Sequence, residues 1–325
     1  MKGKDVVALG ELLIDFTMNG TSEQGNPMME ANPGGAPCNV LAMLTRLGYS
    51  TSFIGKVGND MFGTQLENAL VEVGIGTEGL VKDEVIHTTL AFVQTFPDGD
   101  RDFSFYRNPG ADIMLQPEEV DEELIRNARI FHFGSLSMTD EPVKSATPKA
   151  LETAKDAGVI ISFDPNLREP LWKSLDDAKA AIDYGMSKCD VLKISDNEIQ
   201  WFTGEEDYDT GVEKLFDSYP GIKLILVSMG KEGSNAYQKS EGVLRKVTVM
   251  PFLQENTIET TGAGDTFCAS ILKFILENGL REYSEDEMKE MLTFANAAAS
   301  LITTRKGALR VMPYKEEVEE LIRRG

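Results

Sequence analysis

The stretch Glu259-Thr260-Thr261-Gly262-Ala263-Gly264-Asp265-Thr266-Phe267 sets one carboxylate directly behind a glycine-rich turn that opens a helix. Apolar residues at Phe267, Ile271, Leu272, Ile275 and Leu276 follow at helical spacing. This spacing places Gly262, Ala263 and Gly264 at a helix N-terminus whose backbone N–H groups lack intrahelical acceptors. Such an end attracts phosphate oxygens through its partial positive charge and its free donors. Asp265 then lies in the first turn. There it can accept a proton from a hydroxyl that attacks a phosphoryl group held by those N–H groups.

Working outward from this stretch, short β-branched runs alternate with amphipathic helical patterns. The strand-like runs are Val6 to Leu9, Ser52 to Ile54, Ile130 to Phe133, Val159 to Phe163, Val191 to Ile194 and Leu224 to Val227. Helical periodicity fills the intervals, as in Val40 to Leu47, Phe62 to Val73, Val143 to Ala157 and Ala178 to Met186. Strand, helix, strand in this order predicts an α/β fold with a parallel sheet and helices on both faces. Two segments break the rhythm, Leu12 to Pro33 and Thr88 to Asp112, and both read as antiparallel strands and loops. The second holds Pro97-Asp98-Gly99-Asp100 between apolar runs, which is a hairpin signal. Together the two inserts read as a lid over the crevice at the carboxyl ends of the parallel strands. No low-complexity linker divides the 325 residues, so a single domain with a lid is expected.

Composition narrows the function. Hydrophobic residues make up 42% and charged residues 26%, ordinary values for a folded globular chain. The balance of 32 basic against 53 acidic residues, a net charge of −21, argues against a nucleic acid or an anionic membrane as the main partner. An anionic substrate then needs local Lys, Arg, N–H groups or a metal. Three widely spaced cysteines, Cys38, Cys189 and Cys268, fit a reducing cytoplasm better than a disulfide framework, and they form no metal-ligand spacing. Gly74-Ile75-Gly76-Thr77-Glu78-Gly79 fits the dinucleotide pattern but follows a helical stretch, whereas that fingerprint needs a strand before it. No Gly-Lys pair completes a Walker-type phosphate loop.

The chain resembles the ribokinase-like (PfkB) carbohydrate kinases and, among them, the fructokinases. The N-terminal signature is similar to Gly34-Gly35-Ala36-Pro37-Cys38-Asn39-Val40, continuing to Gly55-Lys56-Val57-Gly58-Asn59-Asp60-Met61-Phe62-Gly63. The C-terminal signature is the stretch around Asp265. The resemblance implies a Rossmann-like three-layer α/β/α core with a small β-sheet lid. It also implies an ATP- and Mg²⁺-dependent kinase in which Asp265 is the catalytic base beside the Gly262, Ala263 and Gly264 amides.

Further residues follow from the same resemblance. Asp15 matches the sugar-binding aspartate, and Gly34, Gly35 and Asn39 suit close approach to vicinal hydroxyls. Phe105-Tyr106-Arg107-Asn108-Pro109-Gly110-Ala111-Asp112 and Asp164-Pro165-Asn166-Leu167-Arg168 look like fructokinase. They imply Arg107 near the sugar and Arg168 near the transferring phosphate. On the nucleotide side the resemblance implies Lys193, Ser228, Gly230, Gly233 and Asn296, with Glu198 acting on Mg²⁺ through water. Many relatives bind K⁺ beside the anion hole. Here Glu259 stands where Asp is usual, and its extra methylene changes its reach. The implied reaction is phosphorylation of D-fructose at its 6-hydroxyl, with 2-keto-3-deoxygluconate, ribose or a nucleoside as alternative acceptors and a non-catalytic sensor as the alternative class. Pairing of two lids into a homodimer is also implied.

Overall fold

The computed structural model describes residues 3–95 and 101–324. The strands are β1 Val6–Leu9, β2 Leu13–Thr21, β3 Pro27–Gly34, β4 Thr51–Gly58, β5 Gly76–Asp83, β6 Leu90–Thr95, β7 Arg101–Tyr106, β8 Ile130–Gly134, β9 Ile160–Asp164, β10 Val191–Ser195, β11 Leu224–Ser228, β12 Ser234–Ser240 and β13 Val243–Val249. The helices are α1 Ala36–Arg46, α2 Met61–Val73, α3 Glu122–Arg126, α4 Val143–Asp156, α5 Leu175–Lys188, α6 Asp196–Thr203, α7 Tyr208–Ser218, α8 Ala263–Asn278, α9 Glu285–Ile302 and α10 Lys315–Arg324.

Nine strands form one sheet in the order β13-β12-β11-β10-β9-β8-β1-β4-β5. From β5 through to β11 every pairing is parallel; β12 and β13 are antiparallel additions at one edge. The central strands read as continuous apolar runs because both of their faces are covered. One apolar cluster, including Leu41, Phe53, Leu272 and Leu292, packs helices α1, α8 and α9 on one face. The other, including Phe131, Phe163, Ile182 and Leu215, packs α4, α5 and α7 on the opposite face. The expected α/β architecture with a three-layer core is therefore present. The antiparallel β12–β13 edge and β5 were not foreseen, because β12 is largely polar in sequence and β5 and β13 are mostly half-buried or exposed, so none offers an apolar run to recognise.

Chain order reverses at β1, whose neighbours are β4 and β8. A crevice opens at the carboxyl ends of strands flanking such a switch point, which is where α/β proteins bind ligands. A separate four-stranded sheet, ordered β3-β2-β6-β7, comes from the two inserts. It is not wholly antiparallel as expected: β2 pairs with β6 in parallel, with Ile14 opposite Leu90 and Phe16 opposite Phe92. The turn expected at Pro97-Asp98-Gly99-Asp100 lies outside the described residues. The dinucleotide-like run has the wrong surroundings, since Gly74 terminates α2 with φ 88° and β5 follows it.

Candidate active site

Helix α8, like its packing neighbour α1 with Gly35, begins without a side-chain cap. Helices α2, α5, α6, α7 and α9 each start with a side chain that accepts from a first-turn N–H. The α8 N-cap is Gly262, at φ 77°, with no side chain to do so. Ala263 N–H donates to Thr260 O and Thr266 N–H to Gly262 O. Among the described residues the Gly264 and Asp265 amides between them have no backbone acceptor, so the partial positive charge of the helix end faces outward. Behind them Asp265 is buried, and its Oδ2 accepts from Asn39 Nδ2 at 2.8 Å. Burial holds the Asp265 carboxyl above its ordinary range, while Asn39, Lys193 and Arg168 pull it back down. A carboxylate with this balance is a better proton acceptor than one in water.

A cavity of about 390 Å³ lies in front of this helix end, a size suited to a small ligand. Asp15, Gly34, Gly35, Asn39 and Asp265 line it. Arg168, Lys193, Glu259, Gly262 and Gly264 line it as well. Asp15, from β2, approaches so closely that a Cβ at Gly34 would overlap its Oδ2, and a Cβ at Gly35, at φ 130°, would overlap Glu11 O. Burial pushes Asp15 up to about 7 despite Arg168.

Lys193 is brought to the same place by sheet register. Leu192 pairs with Phe163 across β9 and β10, so the next residues, Lys193 and Asp164, come together as a buried ion pair at 2.9 Å. Burial pulls the ammonium down, but Asp164 and Glu198 outweigh it and hold Lys193 above its usual range. Burial pushes Asp164 up to about 6. The Lys193 ammonium opposes that rise, and its own raised position keeps it charged at neutral pH. Lys193 Nζ would sit 3.2 Å from a Cβ placed on Gly264, so the ammonium abuts the open helix end.

Of the remaining expected residues, Arg107, Glu198, Ser228, Gly230, Gly233 and Asn296 lie off the cavity lining, whereas Arg168 and Glu259 lie on it. Arg107 is buried, and its guanidinium is engaged by Asp112 at 2.6 and 2.8 Å, by Thr139 Oγ1 at 3.0 Å and by Leu136 O at 2.9 Å. Leu136 lines the cavity, so Arg107 meets that wall from behind. Glu198 accepts from Leu167 N at 2.7 Å and closes a capping box with Ser195. Asn296 accepts from Ser234 Oγ at 2.8 Å and donates to Val249 O and Met250 O, tying α9 to the β12–β13 edge. Ser228, Gly230 and Gly233 form the β11–β12 turn, in which Met229 N–H donates to Gly233 O at 2.9 Å. Arg168 is exposed at the cavity mouth, with one N–H donated to Leu167 O. Glu259 Oε1 accepts from Gly307 N at 2.6 Å.

Sequence reasoning passed over Glu11. It follows β1, is 5% exposed, and its Oε1 accepts from Ala36 N–H at the start of α1. Burial pushes it up to about 7. Its place two residues after the apolar β1 is all the sequence shows; the sheet order that buries it is not visible there.

These buried acids make stability depend on pH. Glu11, Asp15 and Asp164 hold protons more tightly than in the unfolded chain, where carboxyls titrate near about 4. The folded state therefore binds more protons between about pH 4 and pH 7, and stability falls as pH rises through that window. His132, held down to about 3 by burial and Lys193, acts in the opposite sense, one group against three. The ligand-free protein is expected to melt at a higher temperature at pH 6.5 than at pH 8, and Asp15→Asn is expected to shrink the difference. Thermal denaturation at the two pH values checks this.

An open helix end and a buried proton acceptor, set at the switch point of a parallel sheet beneath a second small sheet, define the class of a small-molecule kinase. The sequence pattern of the pfkB family carbohydrate kinases matches residues 3–314. Fructokinase-2 of Solanum lycopersicum is 41% identical, with 98% of this chain and 96% of that protein covered. A fructokinase from Xylella fastidiosa, solved with bound ATP, superposes with a TM-score of 0.87 at 30% identity, over 99% of both chains. A fructokinase double mutant from Vibrio cholerae O395, solved with fructose, ADP and potassium, gives 0.84 at 26% identity, again over 99% of both. The chain belongs to the pfkB family of carbohydrate kinases.

Proposed function

We propose that the chain is an ATP-dependent fructokinase that transfers the γ-phosphoryl group of ATP to the 6-hydroxyl of D-fructose, with Asp265 as the general base. The observation that carries the chemistry is the pairing of the buried Asp265 carboxylate with the two first-turn amides of α8 that lack a backbone acceptor. The choice of fructose draws on the relatives named above, fructokinases matched over nearly their whole length.

In this reading Asp265 takes the hydroxyl proton as the oxygen attacks phosphorus. The Gly262–Gly264 amides and Arg168 balance charge on the moving phosphoryl group. Lys193, already beside Gly264, adds a fixed positive charge there. Asp15 and Asn39 hold the sugar; one Asn39 oxygen, Oδ1, is buried without a partner and is free to accept from a hydroxyl. The small sheet closes over the sugar as a lid on a single domain. Arg107 contributes through Leu136.

The donors fit a magnesium–nucleotide complex. Among the described residues no group of three or more His, Cys, Asp or Glu side chains could hold a metal, so the ion would arrive on the phosphates and meet Glu198 through water. Mg²⁺ supplies neutralisation of phosphate charge. A K⁺ ion beside Glu259 and Thr304–Gly307 would support the helix end from outside. Ser228, Gly230, Gly233 and Asn296 border the nucleotide. The exposed methionines Met18, Met28 and Met29 of the small sheet suit pairing of two chains into a dimer.

The test is ATP-dependent turnover measured across fructose, ribose, 2-keto-3-deoxygluconate, glucose and adenosine. Fructose is expected to give the highest kcat/KM; another sugar in first place would reject fructose but keep the kinase. Gly34→Ala is expected to displace Asp15 and raise the fructose KM by roughly 10- to 100-fold, the cost of one charge-assisted hydrogen bond, with a smaller change in kcat. Steady-state kinetics separates the two parameters.

A further inference from the structure

Adjoining the sugar cavity, at the carboxyl ends of β1, β8 and β9, lies a smaller space of about 10 Å³ that shares Glu11, Leu136, Asn166 and Asp265 with it and is near the volume that one water needs. Glu11, His132, Ser135, Asp164 and Asp265 line it. Two buried oxygens on these residues, Ser135 Oγ and Asp164 Oδ1, have no hydrogen-bond partner among the described residues. The rest of both residues is engaged: Ser135 N–H donates to Pro165 O at 3.2 Å, and Asp164 Oδ2 receives the Lys193 ammonium. His132 is committed as well, with Nδ1 3.1 Å from Ser162 Oγ. A buried oxygen left unpaired costs about 1–3 kcal/mol, and buried polar atoms in folded proteins are nearly always satisfied by protein or by ordered water. Two such atoms bordering a space of one water's size supply a reason for a water to be held there.

We propose that this space is a fixed water site, held by Ser135 Oγ and Asp164 Oδ1, which supports the Asp265 side chain that lines it and makes Ser135 a positioning residue for phosphoryl transfer. Asn39 fixes only one oxygen of the Asp265 carboxylate, at 2.8 Å. A water in this space adds a second restraint, so that the carboxylate presents its basic oxygen to the hydroxyl without rotating away. Rate in such a site depends on holding the acceptor within a few tenths of an ångström. The inference rests on Asp265 being the base and is independent of which sugar is phosphorylated.

A crystal structure of the wild-type protein at a resolution that shows ordered solvent is the direct test. One water within hydrogen-bonding distance of both Ser135 Oγ and Asp164 Oδ1 is expected. An absence of density there, or a Ser135 hydroxyl turned onto a protein acceptor, overturns the site. Ser135→Ala is then expected to lower kcat by roughly 3- to 10-fold, the loss of one hydrogen bond, with both KM values and the melting temperature nearly unchanged. An unchanged kcat, or a loss seen only in KM, overturns the positioning role. Should Asp265→Asn keep its activity while the water is present, the base assignment fails and the water site stands.

Discussion

Asp265→Asn is expected to lower kcat by roughly 10²- to 10⁴-fold while the protein stays folded and still binds nucleotide and sugar. The substitution is nearly isosteric, and an Asn oxygen can still accept from Asn39 Nδ2, so the 2.8 Å hydrogen bond is expected to survive. What is lost is basicity. Burial already holds the carboxyl above its ordinary range, so removing its charge relieves a desolvation penalty and stability is expected to hold or rise. Steady-state kinetics with a thermal melt on the same sample makes the comparison. A variant that loses structure along with activity would say nothing of proton transfer, whereas a folded variant within tenfold of wild type would remove Asp265 from the mechanism.

Lys193→Met carries the second large effect, and it falls on both stability and rate. The Lys193 and Asp164 side chains are 8% and 5% exposed, so the substitution strands a carboxylate in the interior. Stranding one partner of a buried pair costs about 3–5 kcal/mol, a large share of a typical domain's stability. Adding Asp164→Asn to the same chain removes the stranded charge and is expected to restore much of the loss in denaturant unfolding. Activity is expected to stay low in the double variant, because the positive charge beside Gly264 is gone in both. Recovery of activity with stability would make Lys193 purely structural.

How far the sequence could be read depended on whether a residue's chemistry is local. The α8 start was legible because a glycine-rich turn, an acid and a 3.6-residue apolar period lie within one short stretch. The central strands were legible for the same reason: Val6–Leu9 and Leu224–Ser228 are apolar on both faces. Arg107 was harder. Its neighbours in sequence say nothing of Thr139 and Leu136, which lie on a later segment and absorb its donors. Asn296 and Glu198 share this property, each bonding to backbone brought in by another element or by the next turn. Lys193 is the converse case. Only the β9–β10 register reveals that it meets Asp164 and the helix end. Glu11 was invisible as a functional candidate because a carboxylate after a strand looks like a solvated loop residue until the sheet order makes it buried. Sites built by tertiary register are in this sense the part that pattern alone cannot supply.

The measurement that bears most directly on the central claim is identification of the product by ³¹P and ¹³C NMR after incubation of the protein with ATP, Mg²⁺ and D-fructose. The account predicts fructose 6-phosphate and ADP in equal amounts. Fructose 1-phosphate, or ADP formed without a sugar phosphate, would contradict it.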